Sequence, residues 1–542
     1  MLLICLPLLV FAQSMPEPST ASPPNSYVGN QACARCHSAI YESYQRTAMA
    51  RASGPATENL LSGEFTHRES SVHYRIYTQD GRVWLAFERL NDPSVRGKRE
   101  LLYYIGSGRR GRSYLFAVDG FLFESPVNWY SNEHTWDMAP AYQGATEIPL
   151  NLPAYPSCLQ CHVSEMKPPL KGTENRYPSP PLASAGVTCE RCHGPGAAHT
   201  RGGPIVNPAK LASERRDSIC RQCHLEGKVA IERAGRRAYE FRPGELLSDY
   251  VRYYVFSAER NGLGAVSQVE ALEQSRCKRK TGDAMSCTSC HDPHSSPVAE
   301  ERASYFRARC LGCHGYEFGE KHHAGQPNCI QCHMPSSTSI DIAHTEVTNH
   351  RIPRLPQTQP PLKPEMQAAA PSLVPFPDSE EARRDLRDLS LAWATLAGSG
   401  RADAVPAAER LLRAAVSQSP TDPALLAPLG YLEQKRGAAD SARELYEKAL
   451  ALDPELIDAA ANLGVIHANA GRLHEAIKLW NGVFERAPAR SAVGMNIAAV
   501  LCAQGQFEGA RSVVMRVLEF NPDMASARVL LRGLNHAPPA CK

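Results

Sequence analysis

Long apolar runs are almost missing from this chain of 542 residues. Only the first dozen residues are unbroken, well short of the roughly 20 needed to cross a bilayer. No membrane span is expected after that run. An excess of one charge is also missing: 59 Lys and Arg against 56 Asp and Glu leave a formal +3. That balance lacks the basic footprint of phosphate-backbone binding, so nucleic acid is not an expected partner. Cysteine, at 18 residues, is far too sparse for a disulfide scaffold of this length. A hydrophobic content of 43% excludes a wholly disordered chain and leaves material for two or three domains. The few cysteines are not scattered, however, because 14 of the 18 fall in one repeated pattern.

That pattern is Cys-x-x-Cys-His, and it occurs seven times: Cys33/Cys36/His37, Cys158/Cys161/His162, Cys189/Cys192/His193, Cys220/Cys223/His224, Cys287/Cys290/His291, Cys310/Cys313/His314 and Cys329/Cys332/His333. Composition alone would produce about 0.02 such matches. Two thiols one turn apart can add to the two vinyl groups of one haem, and the following histidine then lies under the iron as its proximal ligand. Zinc ribbons also use Cys-x-x-Cys pairs, but they need no histidine after every pair, and seven is an odd number for sites built from two pairs. The expected cofactors are therefore seven c-type haems with their iron. Fewer than fifty residues per macrocycle between positions 33 and 333 imply neighbouring haems near contact. Fourteen ionised propionates would bring the loaded, ferrous protein to roughly −11.

The second axial ligand decides between carrier and enzyme, because an iron with two strong ligands passes electrons and an open one can transform a small molecule. Nine further histidines lie in this region: His67, His73, His134, His199, His294, His322, His323, His344 and His350. The supply exceeds the seven needed, which favours a carrier. His199 follows His193 across Gly194-Pro195-Gly196, and His294 follows His291 across Asp292-Pro293. His344 and His350 come after the last motif and are expected to reach back. With His67 and one of the His322/His323 pair, taken as His323, they complete the candidate set. Cys277 is left as a buried thiol, a disulfide partner or a haem-pocket contact.

Residues 1–12 read as an export signal, with Val10-Phe11-Ala12 as a small-residue cleavage site. A flexible Pro/Ser-rich stretch follows at 13–26, then a heptahaem domain at 27–355. Within that domain, apolar runs separated by Asp80-Gly81, Gly106-Ser107-Gly108 and Asp119-Gly120 predict an antiparallel β insertion at about 64–130. A Pro/Gln/Ala-rich linker is expected at 356–380. Beyond it Pro420, Pro454, Pro488 and Pro522 recur every 34 residues. Ala408, Ala442, Ala476 and Ala510 fall in phase, as do Leu412, Tyr446, Trp480 and Val514. This is the tetratricopeptide pattern, and it predicts roughly four repeats plus a capping helix over 381–535. The expected fold class is mainly α: a haem-packed multihaem cytochrome domain with a small antiparallel β insertion, followed by an α-solenoid of tetratricopeptide repeats.

Several segments carry a wider likeness: Tyr27-Val28-Gly29, Tyr104-Ile105-Gly106-Ser107-Gly108, Trp129 to Tyr142, Cys192-His193-Gly194-Pro195-Gly196 with His199, Ser275-Arg276-Cys277, His291-Asp292-Pro293-His294 and His350-Arg351-Ile352-Pro353. Through them the chain resembles exported multihaem c-type cytochromes with a carboxy-terminal tetratricopeptide domain, related to the electron-transfer cytochromes of ammonia oxidisers. The resemblance implies that the Gly-Pro-Gly and Asp-Pro-His segments supply distal ligands, His199 and His294. It also implies electron transfer without assured catalysis, in the periplasm or otherwise outside the cytoplasm. A redox protein donor or acceptor docked through the repeats is the expected partner, and deletion of the repeats is expected to leave the haems nearly unchanged. The alternative is an oxidoreductase acting on a small nitrogen or sulfur compound at one five-coordinate haem.

Overall fold

A computed structural model describes residues 26–257, 263–317, 321, 325–326, 328–342, 344–354, 372–536 and 538–541. The expected signal at 1–12, His322, His323 and most of the 356–380 linker lie outside the described residues.

The first large element is β-rich. Strands β2 (Gly63–His67), β3 (Val72–Gln79), β4 (Arg82–Arg89) and β5 (Arg96–Leu101) form an antiparallel meander. A second sheet has the order β1 (Ser53–Pro55), β6 (Tyr103–Ile105), β7 (Gly111–Val118), β8 (Phe121–Tyr130) and β9 (Thr135–Met138). Alternation along β3 buries Val72, Tyr74 and Ile76 while the residues between them face outward. Asp80-Gly81 and Asp119-Gly120 close two-residue hairpins, and both residues of each pair have positive φ, as a turn matched to strand twist requires. The insertion is wider than expected, running from 53 to 138, because β1 pairs with β6 and β9 with β8. Tyr74, Leu85, Tyr104, Phe116, Phe123 and Trp136 share one core between the two sheets.

Two smaller sheets follow, β10 (Val229–Glu232) with β11 (Val251–Phe256) and β14 (Leu373–Phe376), and the hairpin β12 (Ser336–Thr338) with β13 (Glu346–Thr348). Strand β14 corrects the expected linker: its apolar run closes the edge of the β10–β11 sheet. Pro375 fits there because an edge strand can forgo an amide donor. The expected mainly α class is corrected too, since helix accounts for only 44% of the structure. Nine strands fall among the 120 residues between the first two motifs, and two smaller sheets lie further along the chain.

The carboxy-terminal part is an α-solenoid of four helix pairs, Leu386–Gly398/Val405–Gln418, Pro423–Lys435/Ala439–Leu452, Ile457–Asn469/Leu473–Arg486 and Ser491–Ala503/Phe507–Phe520, capped by Ala525–Leu534. Ala408, Ala442, Ala476 and Ala510 are fully buried between paired helices. Cys502 and Cys541 form a disulfide that ties the chain end to the last repeat. Both ends of the solenoid dock on the part of the chain that precedes it. At the start, Ala392 and Leu396 pack on Ile231, Tyr254 and Leu373, while Arg233 pairs with Asp385 and Asp388. At the far end, Phe520 enters the β core with its ring centre 5.2 Å from that of Phe123, and Asp523 pairs with Arg89 and accepts from the Ile148 amide at 2.8 Å.

Candidate haem centres

Each motif occupies about one helical turn. The His37, His193 and His291 amides donate to the carbonyls of Cys33, Cys189 and Cys287 at 3.0, 3.0 and 2.9 Å. The fourth and sixth motifs close the helices Ser213–His224 and Arg302–His314, and the seventh is the helix Cys329–His333. A single turn brings side chains three and four apart onto one face, so the first thiol of a motif neighbours both the second thiol and the imidazole.

Three motif histidines stand opposite a second imidazole. The ring centres of His37 and His199 lie 6.5 Å apart with planes 10° from parallel. Those of His193 and His294 lie 6.0 Å apart at 13°, and those of His291 and His350 are 6.2 Å apart at 29°. Ring stacking would bring planes much closer. A transition metal sits about 2.0–2.1 Å from an imidazole nitrogen, and the ring centre lies roughly 1.1 Å further, so two imidazoles on one ion have centres about 6.3 Å apart. The three pairs fit axial ligation of a single iron. Their spare nitrogens are held from behind, as orienting partners of metal-bound imidazoles are: His193 Nδ1 by the Val206 carbonyl at 2.9 Å and His350 Nδ1 by the Thr348 carbonyl at 3.0 Å.

The motifs also touch one another. The Cys33 thiol lies beside Cys189, Cys161 beside Cys223, Cys220 beside Cys287, and Cys310 beside Cys329. Cys192 with Cys223, and Cys290 with Cys313, are close enough to interact electrostatically. These contacts link the motifs in the order first, third, fourth, fifth, sixth, seventh, with the second attached at the fourth. Cys36, Cys158, Cys313 and Cys332 are exposed, whereas Cys33 and Cys329 are half-buried against Cys189 and Cys310. Cys36 still lies within its own helical turn, its amide donating to the Cys33 carbonyl at 3.2 Å.

Buried guanidinium atoms without partners lie among the motifs. Arg191, near Cys161, Cys192 and Cys223, leaves Nε unpaired, and Arg110, near His350, leaves Nη1 unpaired. Unpaired buried cations call for carboxylates, which haem propionates supply.

The remaining candidates are placed differently. His67 ends β2 with Nδ1 at 2.9 Å from Ser70 Oγ and Nε2 at 3.0 Å from Glu69. His344 lies against Tyr130, its Nδ1 at 2.6 Å from Glu133 and its Nε2 at 3.0 Å from Asp137. Glu133 foremost, with Asp137, raises its pKa. In this arrangement neither His67 nor His344 has a nitrogen free for iron, because neighbouring side chains in the β insertion claim both. Cys277 is partly exposed, near Cys290 and Cys310. Sequence reasoning missed the arginines, for which a single chain carries no periodic signal.

Residues 128–194 match the family described as cytochrome c554 and c-prime, residues 280–318 the doubled CXXCH motif, and residues 433–493 a tetratricopeptide repeat. The multiheme cytochrome MtrA of Shewanella baltica (strain OS185) is 27% identical over 184 residues, 30% of this chain and 54% of that protein. The chain thus spans about half the length of the curated relative it matches. Among solved structures, MamA from Desulfovibrio magneticus RS-1 is 18% identical with a TM-score of 0.25, covering 28% of this chain and 84% of that one. A tetratricopeptide repeat protein from Parabacteroides merdae is 20% identical with a TM-score of 0.23, covering 26% and 55%.

Proposed function

We propose that this chain, a multihaem c-type cytochrome with a tetratricopeptide repeat domain, conducts electrons through seven covalently bound haems between a donor and an acceptor outside the cytoplasm. The observation that carries the reading is the three histidine pairs at iron-spanning distance. Bound haem supplies one-electron exchange. The chain's own residues would do the rest: the paired imidazoles would hold the iron from two sides, and the proximity of successive motifs would keep the sites in series. His323 is proposed to serve one of the remaining irons. The Cys502–Cys541 disulfide suits an oxidising compartment. The solenoid docks a redox partner through the surface it does not bury against the cytochrome, raising the local concentration of that partner.

Intact-mass measurement of the mature protein tests the stoichiometry, with an increase equal to seven haems expected. Low-temperature electron paramagnetic resonance tests the ligation, with only low-spin ferric signals expected. One observation favours the alternative, an oxidoreductase acting on a small nitrogen or sulfur compound. Half-buried His162 has no second imidazole opposite it among the described residues, and its buried Nδ1 makes no well-formed hydrogen bond. A stoichiometric high-spin signal that responds to nitrite, hydroxylamine or sulfite would establish that reading and overturn the carrier.

A further inference from the structure

The loop between β6 and β7 with the first two residues of β7 reads Gly106-Ser107-Gly108-Arg109-Arg110-Gly111-Arg112. Arg112 turns back under Tyr104, its guanidinium carbon 4.0 Å from the ring centre. Its Nη1 donates to the carbonyls of Glu58 at 2.8 Å and Asn59 at 3.3 Å. The side chain is only 9% exposed, yet its Nε is buried with no hydrogen-bond partner. A buried, charged donor left open costs more than a satisfied one, so an acceptor is expected there.

Arg112 lines a cavity of about 390 Å³, shared with Arg51, Glu58, Tyr104 and Trp129. Gly108 keeps its wall open. At φ +80° it adopts a backbone that side chains avoid, and a Cβ there would lie 3.1 Å from Arg112 Nε and fill the approach to the unpaired donor. Arg51 stands exposed at the rim, with Nη2 on the Arg46 carbonyl at 2.7 Å and Nε on the Gln45 carbonyl at 3.2 Å. Two guanidinium groups face one carboxylate, Glu58, which lies near the Tyr104 hydroxyl. The lining is therefore net cationic. The Tyr114 hydroxyl also approaches the Arg112 guanidinium.

We propose that this cavity is an anion site, taking one carboxylate or small oxyanion on the open Arg112 donor with Arg51 at its mouth. The planar fork of arginine suits such a group. Two sources share this chemistry. The cavity adjoins the second motif: Ala52 follows Arg51 and accepts from the Gly106 amide at 2.7 Å, and Ser53 Oγ donates to the His162 carbonyl at 2.8 Å. A propionate of the haem on that motif is one source, and a free oxyanion from solution is the other.

The test uses the haem-loaded full chain and sulfate, an oxyanion that does not ligate haem iron. If the anion comes from solution, calorimetry finds one sulfate per chain, and affinity falls at least tenfold in Arg112→Gln and Arg51→Gln. If the anion is a propionate, sulfate does not bind, and the same variants lower the midpoint potential of one haem while leaving the others unchanged, because a nearby cation that favours the reduced state is lost. Arg112→Lys, which keeps the charge but loses the Nε donor, should recover part of either effect. Arg51→Gln decides the matter if Arg112→Gln fails to fold, since Arg51 is exposed. Folded variants with neither change would overturn the proposal.

Discussion

His199, His294 and His350 each face a motif histidine across an iron-sized gap, whereas His67 and His344 hold neighbouring side chains with both ring nitrogens. Single substitutions separate the two groups. Alanine at 199, 294 or 350 should leave every haem covalently attached but turn one of them high-spin in electron paramagnetic resonance, because only the distal ligand is lost. Alanine at 344 should leave the spin states unchanged, and a new high-spin signal there would mean that the side chain swings onto an iron in the loaded protein. The candidates were legible in the sequence because Cys-x-x-Cys-His is a local chemical requirement. Their pairing was not, since His199 meets the first motif through space and its own motif's histidine meets His294. A second single-residue effect lies in β8, where burial pushes the Glu124 carboxyl up to about 7, against an opposing hydrogen bond from Ser113. A carboxyl raised above its unfolded value of about 4.3 binds its proton more tightly in the folded state. Its contribution to stability is full below that unfolded value and drains away as pH climbs through the raised one. Glu124→Gln removes the dependence, so its advantage over the wild type should grow by roughly 2 kcal/mol between pH 5 and 8 and then level off. Melting curves across that range check it.

The elements that were legible are those with a period. The 34-residue recurrence requires small residues where helices meet and large ones in the groove, and the structure shows the partner of each. Gly430 lies against Tyr446 and Gly464 against Trp480. A Cβ on Gly464 would fall 2.3 Å from Trp480 Nε1, and the indole cannot swing away, being 3% exposed and bonded to the Ala461 carbonyl at 3.0 Å. Alanine in mid-helix normally gains up to about 1 kcal/mol over glycine. Overpacking a locked ring costs about 1–3 kcal/mol, so Gly464→Ala should be a net destabilisation of the full chain, read as a lower melting temperature. Strand β14 was illegible for the opposite reason. Leu373-Val374-Pro375-Phe376 is too short for a period and carries a proline, and only the edge of a sheet formed by distant residues makes it a strand.

The contact between the two halves of the molecule is written in no motif, because solenoid surfaces vary while their scaffold repeats. The repeats could be read as a free appendage from sequence, yet their far end completes the β core. Phe123, Ile148, Leu150 and Phe520 are all fully buried together. The Asp523 side chain is 3% exposed, pairs with Arg89 and accepts from the Ile148 amide. Breaking a buried pair from one side leaves an uncompensated charge and costs about 3–5 kcal/mol, so Asp523→Ala should lower the melting temperature markedly without touching any haem motif. Removal of residues 381–542 goes further, since it strips the cover from Phe123, Ile148 and Leu150. It also releases Glu174, which Arg490 holds at 3.3 Å and which interacts with Tyr155, the residue that opens the helix of the second motif. The truncated, haem-loaded protein should therefore melt well below the full chain and show a changed midpoint potential at the second-motif haem, while the haems of the fifth to seventh motifs keep theirs. Midpoints and melting unchanged by truncation would instead make the solenoid an independent arm, whose only effect is the rate of exchange with its partner.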